Sequence, residues 1–378
     1  ISYRVDLNAR ENFIDLAERK ESVLRLARLI SYQPKRNTAA SGFLKITSVS
    51  TTESVLDSNG QDISNTAILW NDLTNDNFLD QFNAVLNASL PQGQFVNKPE
   101  MSDTIAGIQT QLYRINGANL GLPVIPFSQN INGVNMDFEV VPCSFANETF
   151  IYEEPPIAGN SMSVLYRNDN RGFGSNNTGY FFHFRQGTLQ SQDFSIKNTA
   201  PNTVVSIQEN NINNDDVFLF KLDQNGVLEQ RWTKVPAIVG NNIIYNELAN
   251  NITNQFAVVT KTNDQVDLVF SDGVYGTLPQ GNFRCSFRQS NGLSYNINTA
   301  DMQNISIEID YVSRNGQTNT LTFTASLQSA VTNAAASQSI QDIKTQAPQS
   351  YYTNNRMITA EDYQILPIIQ NQSIAKIK

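Results

Sequence analysis

Apolar and polar residues alternate with two different periods along this chain. Near its start, residues 11–31 carry apolar side chains three and four positions apart, which is the spacing of an α-helix. Asn8 and Glu11 resemble a capping box with Asn in place of Ser or Thr. The helix is predicted to end at Gln33, because a residue that precedes proline avoids helical geometry. Its second half is apolar on most of its circumference, so it must be covered on more than one side.

Helix and strand signals are mixed in the residues that follow. Lys35 and Arg36 are predicted to lie in solvent or to interact with the C-terminal end of the helix dipole. Residues 42–56 predict one or two β-strands. Residues 76–90 carry large apolar side chains at helical spacing, which predicts a second amphipathic helix.

From about residue 120 to residue 325 the pattern predicts strand after strand. Turn dipeptides separate the alternating stretches, and Asn-Gly or Asp-Gly in such a place is typical of a β-hairpin. We therefore expect many of these dipeptides to join antiparallel strands. They lie at residues 132–133, 225–226, 272–273, 291–292 and 315–316.

Residues 265–288 show the alternation in detail. Two predicted strands are joined by a loop of Gly, Pro and Asp, and each strand places every second side chain on an apolar face. The apolar positions are Val266, Leu268 and Phe270 on one strand and Phe283, Cys285 and Phe287 on the other, with Arg284, Ser286 and Arg288 predicted to face outward.

After residue 325 the pattern becomes helical again. The alanine-rich stretch 329–348 predicts a helix that ends before Pro348, and a further helix is predicted to start at Thr359. Together these elements predict an α+β, multi-domain fold. Its parts are an N-terminal helical arm (1–40), a mixed α/β domain (41–120), one or more antiparallel β-rich domains (121–325) and a helical C-terminal segment (326–378), which we expect to continue into a further domain.

Composition narrows the possible partners. The 378 residues include 35 acidic and 26 basic side chains, for a net charge of −9. An acidic chain is a poor partner for nucleic acid or for an anionic membrane surface. No stretch reaches the roughly 18 apolar residues of a transmembrane helix, and the first residues lack the apolar part of a signal peptide. We predict no nucleic-acid and no membrane partner, and we interpret the chain as a piece of a longer protein.

Residues that could carry catalysis do not form a recognisable site. His183 is the one histidine, which excludes a metal site with two histidines. Cys143 and Cys285 lie in apolar strand-like runs and form no Cys-x-x-Cys pair, so we predict buried thiols. Glu153 and Glu154 are adjacent on a predicted strand, so they point to opposite faces and cannot easily share a substrate.

Three polar segments also fail as binding motifs. The glycine-rich residues 171–179 lack the Gly-Lys-Ser/Thr ending of a phosphate-binding loop, and they predict a polar hairpin loop. The acidic clusters at 57–62 and 215–216 lack the further acids of a calcium-binding loop and predict turns. We therefore predict no enzyme, no cofactor and no bound metal.

Four segments, taken in order, resemble the baseplate J-like family, and most closely its branch of wedge ring subunits from T4-type contractile-tailed bacteriophages. Residues 14–36 resemble the entry helix and its Tyr-x-Pro step, and residues 177–190 resemble a stretch of the T4-type branch. Residues 266–289 resemble a strand, a Phe-x-Asp-Gly turn and a second strand. Residues 340–363 resemble a helix that ends in Ala-Pro, an aromatic pair and an Arg-x-Ile-Thr-x-Glu-Asp-Tyr motif.

This resemblance implies a structural protein of the virion, located in the tail baseplate and assembled in the host cytoplasm. Two copies per wedge would join neighbouring wedges into an inner ring, which rearranges to release the contractile sheath. The implied partners are a second copy of the chain, a large wedge subunit that shares a core helix bundle, a small sheath-initiator wedge subunit and a wedge-adaptor subunit.

Two sets of residues are candidates for these contacts. The first helix carries more large apolar side chains than one neighbour can cover, and burying them could contribute on the order of 10 kcal/mol. We expect it to join a helix bundle between subunits, unless it packs on its own domain. The candidate partner interface comprises Phe13, Leu16, Val23, Leu24, Leu26, Leu29 and Ile30.

The second set lies near the C-terminus. These residues either build a fold-defining corner after the Ala-Pro step or form a contact between two copies of the chain, and the sequence favours neither alternative. They are Tyr351, Tyr352, Arg356, Thr359, Asp362 and Tyr363.

Three other functions fit parts of the pattern. A contractile injection or type VI-like secretion machine would use the same fold. The Asn- and Thr-rich β region permits a fibre or adhesin module that binds glycan, although the helices do not support it. A tail-associated cell-wall hydrolase would need a pair of acids that the sequence does not show.

Overall fold

The structure is a computed structural model. It describes residues 9–56, 60–70, 85, 99–115, 124–145, 150–155, 162–238, 253–274, 276–313, 315–353 and 363.

Strands dominate the described residues, with 48% strand against 12% helix. The two α-helices with described bounds are α1 (Lys20–Leu29) and α2 (Ile340–Thr353). The strands are β1 (Ser41–Thr51), β2 (Ile68–Leu69), β3 (Met101–Ile105), β4 (Ile108–Ile115), β5 (Ile125–Ile131), β6 (Val134–Val140), β7 (Cys143–Ser144), β8 (Tyr152–Glu153), β9 (Met162–Asn168), β10 (Gly179–Gln186), β11 (Thr188–Ile196), β12 (Val204–Ile207), β13 (Ile212–Leu222), β14 (Leu228–Val235), β15 (Gln255–Thr260), β16 (Val266–Phe270), β17 (Gly281–Gln289), β18 (Ile305–Val312) and β19 (Thr318–Leu327).

The chain forms two compact units, each assembled from separate stretches. Unit 1 comprises residues 1–39, 189–295 and 333–378, and unit 2 comprises residues 40–188 and 296–332.

A ten-stranded sheet forms unit 2, with the order β18-β19-β1-β10-β9-β4-β3 and with β2, β5 and β6 attached beside this path. At its centre β1 pairs antiparallel with β10 and β19, so Leu44 lies opposite both Phe182 and Leu327. All three side chains are buried. Phe138 and Phe184 meet edge-on, with ring centroids 5.9 Å apart. The core of this unit therefore rests on apolar residues at alternate strand positions.

A seven-stranded sheet forms the β part of unit 1, with the order β11-β17-β13-β14-β15-β16-β12. Strand β13 pairs antiparallel with β14 and β17, and β16 pairs antiparallel with β12 and β15, whereas β14 and β15 run parallel. Aromatic rings hold its core, and Trp232 meets Phe270 and Phe283 edge-on at 5.4 Å. The predicted apolar positions of β16 and β17 all lie in this core.

The predicted α+β architecture with an N-terminal helical arm and a helical C-terminal segment is wrong, because the structure is mainly β. The predicted helix over 11–31 is interrupted, because residues 11–16 form turns and a bend and α1 begins at Lys20. The reason is local. The Glu11 carboxylate accepts hydrogen bonds from the backbone N–H groups of Glu18 (3.0 Å) and Arg19 (3.3 Å), so it folds back on the start of α1.

The predicted alanine-rich helix is also mostly extended chain. Val331 bridges Ile297, and Ala335 bridges Thr38, so strand-type hydrogen bonds override helix propensity here. Helix α2 begins only at Ile340. It then runs through Pro348 instead of ending before it. The predicted helix at 76–90 lies outside the described residues, apart from the isolated Val85, and so does most of the region after Thr353.

The predicted hairpins are confirmed where two paired strands follow one another in the chain. Asn-Gly pairs at 132–133, 225–226 and 315–316 lie between the paired strands β5–β6, β13–β14 and β18–β19. The loop at 171–179 joins β9 to its antiparallel partner β10, as predicted. Asp272–Gly273 closes no hairpin, because β16 pairs with β12 and β15 while β17 pairs with β13.

The outward orientation predicted for Arg288 and Ser286 is wrong, because both side chains are buried. The register between β13 and β17 shifts between Ile212 and Val217. This irregularity contains Asp216, whose Oδ2 atom lies 3.5 Å from Arg288 Nη1. A buried carboxylate can therefore accompany the buried guanidinium.

Candidate interaction surface

Helices α1 and α2 pack together within unit 1. Val23, Leu24 and Ala27 of α1 form one buried cluster with Ile343 and Ala347 of α2. These positions repeat at helical spacing on both elements, so each helix presents one apolar stripe to the other. This contact buries part of the apolar surface of α1, and α2 does not cover the rest.

The seven residues predicted as a partner interface divide according to this packing. Val23 and Leu24 are buried in the cluster, and Leu26 and Ile30 are half-buried against it. The other three project from the unit. The exposed fractions are 63% for Phe13, 54% for Leu16 and 77% for Leu29.

The aromatic pair of the C-terminal set lies at the end of α2. Tyr351 and Tyr352 are 62% and 84% exposed, and their ring centroids are 6.2 Å apart. Tyr363 is also exposed. Arg356, Thr359 and Asp362 lie outside the described residues. The choice between a fold corner and a dimer contact stays a prediction.

Arg36 anchors the segment after α1 to the β part of unit 1. Its side chain is buried, and it donates hydrogen bonds to the carbonyl oxygens of Ile212 (3.2 Å), Asn213 (3.1 Å) and Asn214 (2.9 Å) and to the Thr260 hydroxyl (3.1 Å). Burial lowers the pKa of Arg36 to about 10. The prediction that Arg36 lies in solvent is wrong, because the irregular strand β13 offers several carbonyl groups to one guanidinium.

A second anchor joins the end of α1 to the start of α2. The Tyr32 hydroxyl donates to Gln346 Oε1 (3.0 Å) and accepts from Gln338 Nε2 (2.8 Å). The Gln338 Oε1 atom also accepts the backbone N–H of Lys35 (2.9 Å). Burial raises the pKa of Tyr32 to about 12, so the hydroxyl stays protonated. Only the Tyr-x-Pro step at Tyr32 marks the position of this network in the sequence.

A profile of the family described as Domain of unknown function (DUF8360) matches residues 42–330. The chain belongs to this family. The DUF8360 segment contains strands β2 to β19 and nearly all of β1, whereas α1 and α2 lie outside it. The two sets of candidate interaction residues, 13–30 and 351–363, therefore lie on either side of the family segment. No curated protein matches the chain.

The adjacent acids Glu153 and Glu154, inside the DUF8360 segment, each contact an arginine. Glu154 forms two hydrogen bonds with Arg114, at 2.7 and 2.8 Å, whereas Glu153 lies 3.2 Å from Arg185. The two acids therefore contact different arginines. His183 is buried, with its ring centroid 5.2 Å from that of Phe43.

Both cysteines are buried and free, as predicted for their burial. Burial raises the pKa of each thiol to about 12, which keeps both protonated and unreactive. Within the ranges that the structure describes, His, Cys, Asp and Glu side chains form no group of three that could hold a metal ion. The same residues include no helix with the length and apolarity needed to span a membrane.

Proposed function

We propose that this DUF8360 protein is a structural subunit of a contractile phage tail baseplate wedge. In this role it joins wedges into the inner baseplate ring and helps to transmit the trigger for sheath contraction. The proposal rests on the resemblance of four segments to the baseplate J-like family and its T4-type branch. The single structural observation in its favour is that Phe13 and Leu16, which precede α1, and Leu29, the last residue of α1, are exposed.

Energetics favour a partner for this surface. A large apolar side chain contributes roughly 1.5–3 kcal/mol when it moves from water to a buried site. Three such residues next to a packed helix pair resemble part of a core that another protein completes, as in permanent assemblies. The proposed partners are a second copy of the chain, the large wedge subunit, the sheath-initiator subunit and the wedge-adaptor subunit. The proposed location is the tail baseplate of the virion.

Co-expression with the large wedge subunit tests this proposal. The changes Phe13→Ser, Leu16→Ser and Leu29→Ser, made together, remove the exposed apolar groups without opening the buried cluster. We expect the wild-type chain to co-purify with the wedge subunit and to form ring or wedge particles in negative-stain images. The triple variant should keep its melting temperature and lose at least tenfold in affinity, because its apolar contacts are gone.

The matched control removes equally exposed apolar groups elsewhere. Val134, Val227 and Val274 are 56%, 61% and 71% exposed, and changing all three to Ser should leave co-purification intact. Equal binding by both triple variants would refute the role of α1. Absence of any complex, together with glycan binding by the chain alone, would favour the adhesin alternative instead.

A further inference from the structure

A polar groove of about 730 Å³ lies beside α1 in unit 1. Its walls are the residues around Glu11, the outward face of α1 and the end of β15 with the start of β16. Four basic side chains line it, Arg19, Arg25, Arg28 and Lys261. Three acids, Glu11, Glu21 and Asp267, also line it, so the groove has a small excess of positive charge in a chain whose net charge is −9.

Two of the three acids in this groove already have partners. The Glu11 carboxylate accepts the backbone N–H groups of Glu18 and Arg19. Asp267 lies 3.3 Å from Lys261 and accepts the Ser206 hydroxyl at 2.6 Å. Both contacts of Asp267 are made by its Oδ1 atom, and they balance the charge of Lys261.

Arg25 and Arg28 have no such partner. They are three positions apart, so they lie on one face of α1, and both are exposed. Within the part of the chain that the structure describes, neither side chain forms an ion pair or a hydrogen bond. Partial burial lowers the pKa of Arg28, and Asp267 opposes this effect. Two exposed guanidinium groups therefore line a groove in which four basic side chains outnumber three acidic ones.

The remaining charges favour a peptide over a nucleic acid. Glu21 precedes Arg25 by one helical turn, and Asp267 lies in the same groove, so a continuous phosphate backbone would meet acids beside the arginines. A peptide carries separate carboxylates, and each planar guanidinium can bind one of them through two parallel hydrogen bonds.

We propose that this groove binds an acidic peptide segment of a partner protein through Arg25 and Arg28. The inference rests on the proposed function, because a subunit of an assembly needs contacts that select the correct partner. The groove would add a polar contact to the apolar contact proposed for Phe13, Leu16 and Leu29. These three residues would supply burial, and the arginines would select a segment rich in Asp and Glu.

Fluorescence anisotropy of a labelled peptide of alternating Glu and Gly tests the groove in the full chain. We expect saturable binding that weakens as salt is raised. The variant R25Q/R28Q should keep its melting temperature and bind at least tenfold more weakly, because it loses two charge-assisted contacts. The control R171Q/K197Q removes two exposed positive charges elsewhere and should bind like the wild type.

Three outcomes would overturn the inference: no saturable binding, equal affinities for R25Q/R28Q and the control, or tighter binding of a single-stranded oligonucleotide than of the peptide.

Failure of the groove assignment is distinguishable from failure of the proposed function. If the peptide does not bind while the wedge subunit still co-purifies, the groove assignment is wrong. If the peptide binds but the large wedge subunit does not co-purify with the chain, the proposed baseplate function is wrong.

Discussion

At the scale of single residues, the most consequential side chain is Arg36. A buried charge is tolerated only when enough acceptors surround it. Its guanidinium bonds three carbonyl groups around β13, and Asp264 and Asp216 counteract the loss of its charge. One residue after α1 therefore fixes the path of the chain against an irregular strand.

Replacing Arg36 by Leu should be strongly destabilising. The change would leave three carbonyl groups without their donor and remove the charge that the buried acids face. We expect a loss of about 3–5 kcal/mol in the free energy of unfolding, measured by urea denaturation. Arg171→Leu, in an exposed loop, should stay within about 0.5 kcal/mol of the wild type. A loss below about 1 kcal/mol for Arg36→Leu would contradict this account.

Asp169 organises the loop between β9 and β10. Its carboxylate accepts the hydroxyls of Ser175 (2.6 Å) and Thr178 (2.8 Å) and the backbone N–H of Arg171 (3.0 Å). These hydrogen bonds, that of Ser175 above all, lower the pKa of Asp169 to about 2. The ionised form is therefore the one that the folded loop prefers.

A pH dependence follows from this shift. Because the folded pKa lies below the ordinary value of 3.8, the stabilisation is complete above about pH 4 and is lost as the pH falls towards 2. Asp169→Asn should lower the melting temperature at pH 7, and its difference from the wild type should shrink between pH 4 and pH 2. The exposed Asp15→Asn serves as control and should follow the wild-type profile. A difference that is constant with pH would assign another role to Asp169.

At the scale of elements, local chemistry decided which predictions succeeded. The turn at 132–133 places Asn132 and Gly133 at φ values of 52° and 84°, which suits the tight hairpin that Asn-Gly predicts. The helices were predicted less well. Glu11 folds back to cap α1, and Ala335 pairs with Thr38, which is distant in sequence. Helical spacing contains no information about such partners.

Gly133→Ala tests the hairpin turn directly. Its positive φ is costly for any residue with a Cβ atom, although no neighbouring atom would clash. We expect a loss of roughly 1–2 kcal/mol in unfolding free energy, measured by urea denaturation. Gly174 has equally open surroundings and no positive φ, so Gly174→Ala should be close to neutral. Equal effects of the two changes would exclude backbone strain as the cause.

At the scale of the whole molecule, each unit is discontinuous in sequence. A prediction that divides the chain into consecutive segments has no signal for this arrangement, because the deciding contacts join residues such as Tyr32 and Gln338, which are 306 positions apart. The candidate interaction residues were predictable only in part, because contacts with a distant element decide which of them are exposed. The excess apolarity of α1 is visible in the sequence, but only the packing of α2 decides that Val23 and Leu24 are covered while Leu29 is not.

The separation of Tyr32 from Gln338 also has a consequence during biosynthesis. A ribosome adds roughly 5–20 residues per second, so the 306 positions between them take on the order of 15–60 s to emerge. Throughout that interval Val23 and Leu24 of the nascent chain have no Ile343 to cover them. These apolar side chains stay uncovered until synthesis is complete, and only a finished polypeptide can present α1 in the form that a partner would meet.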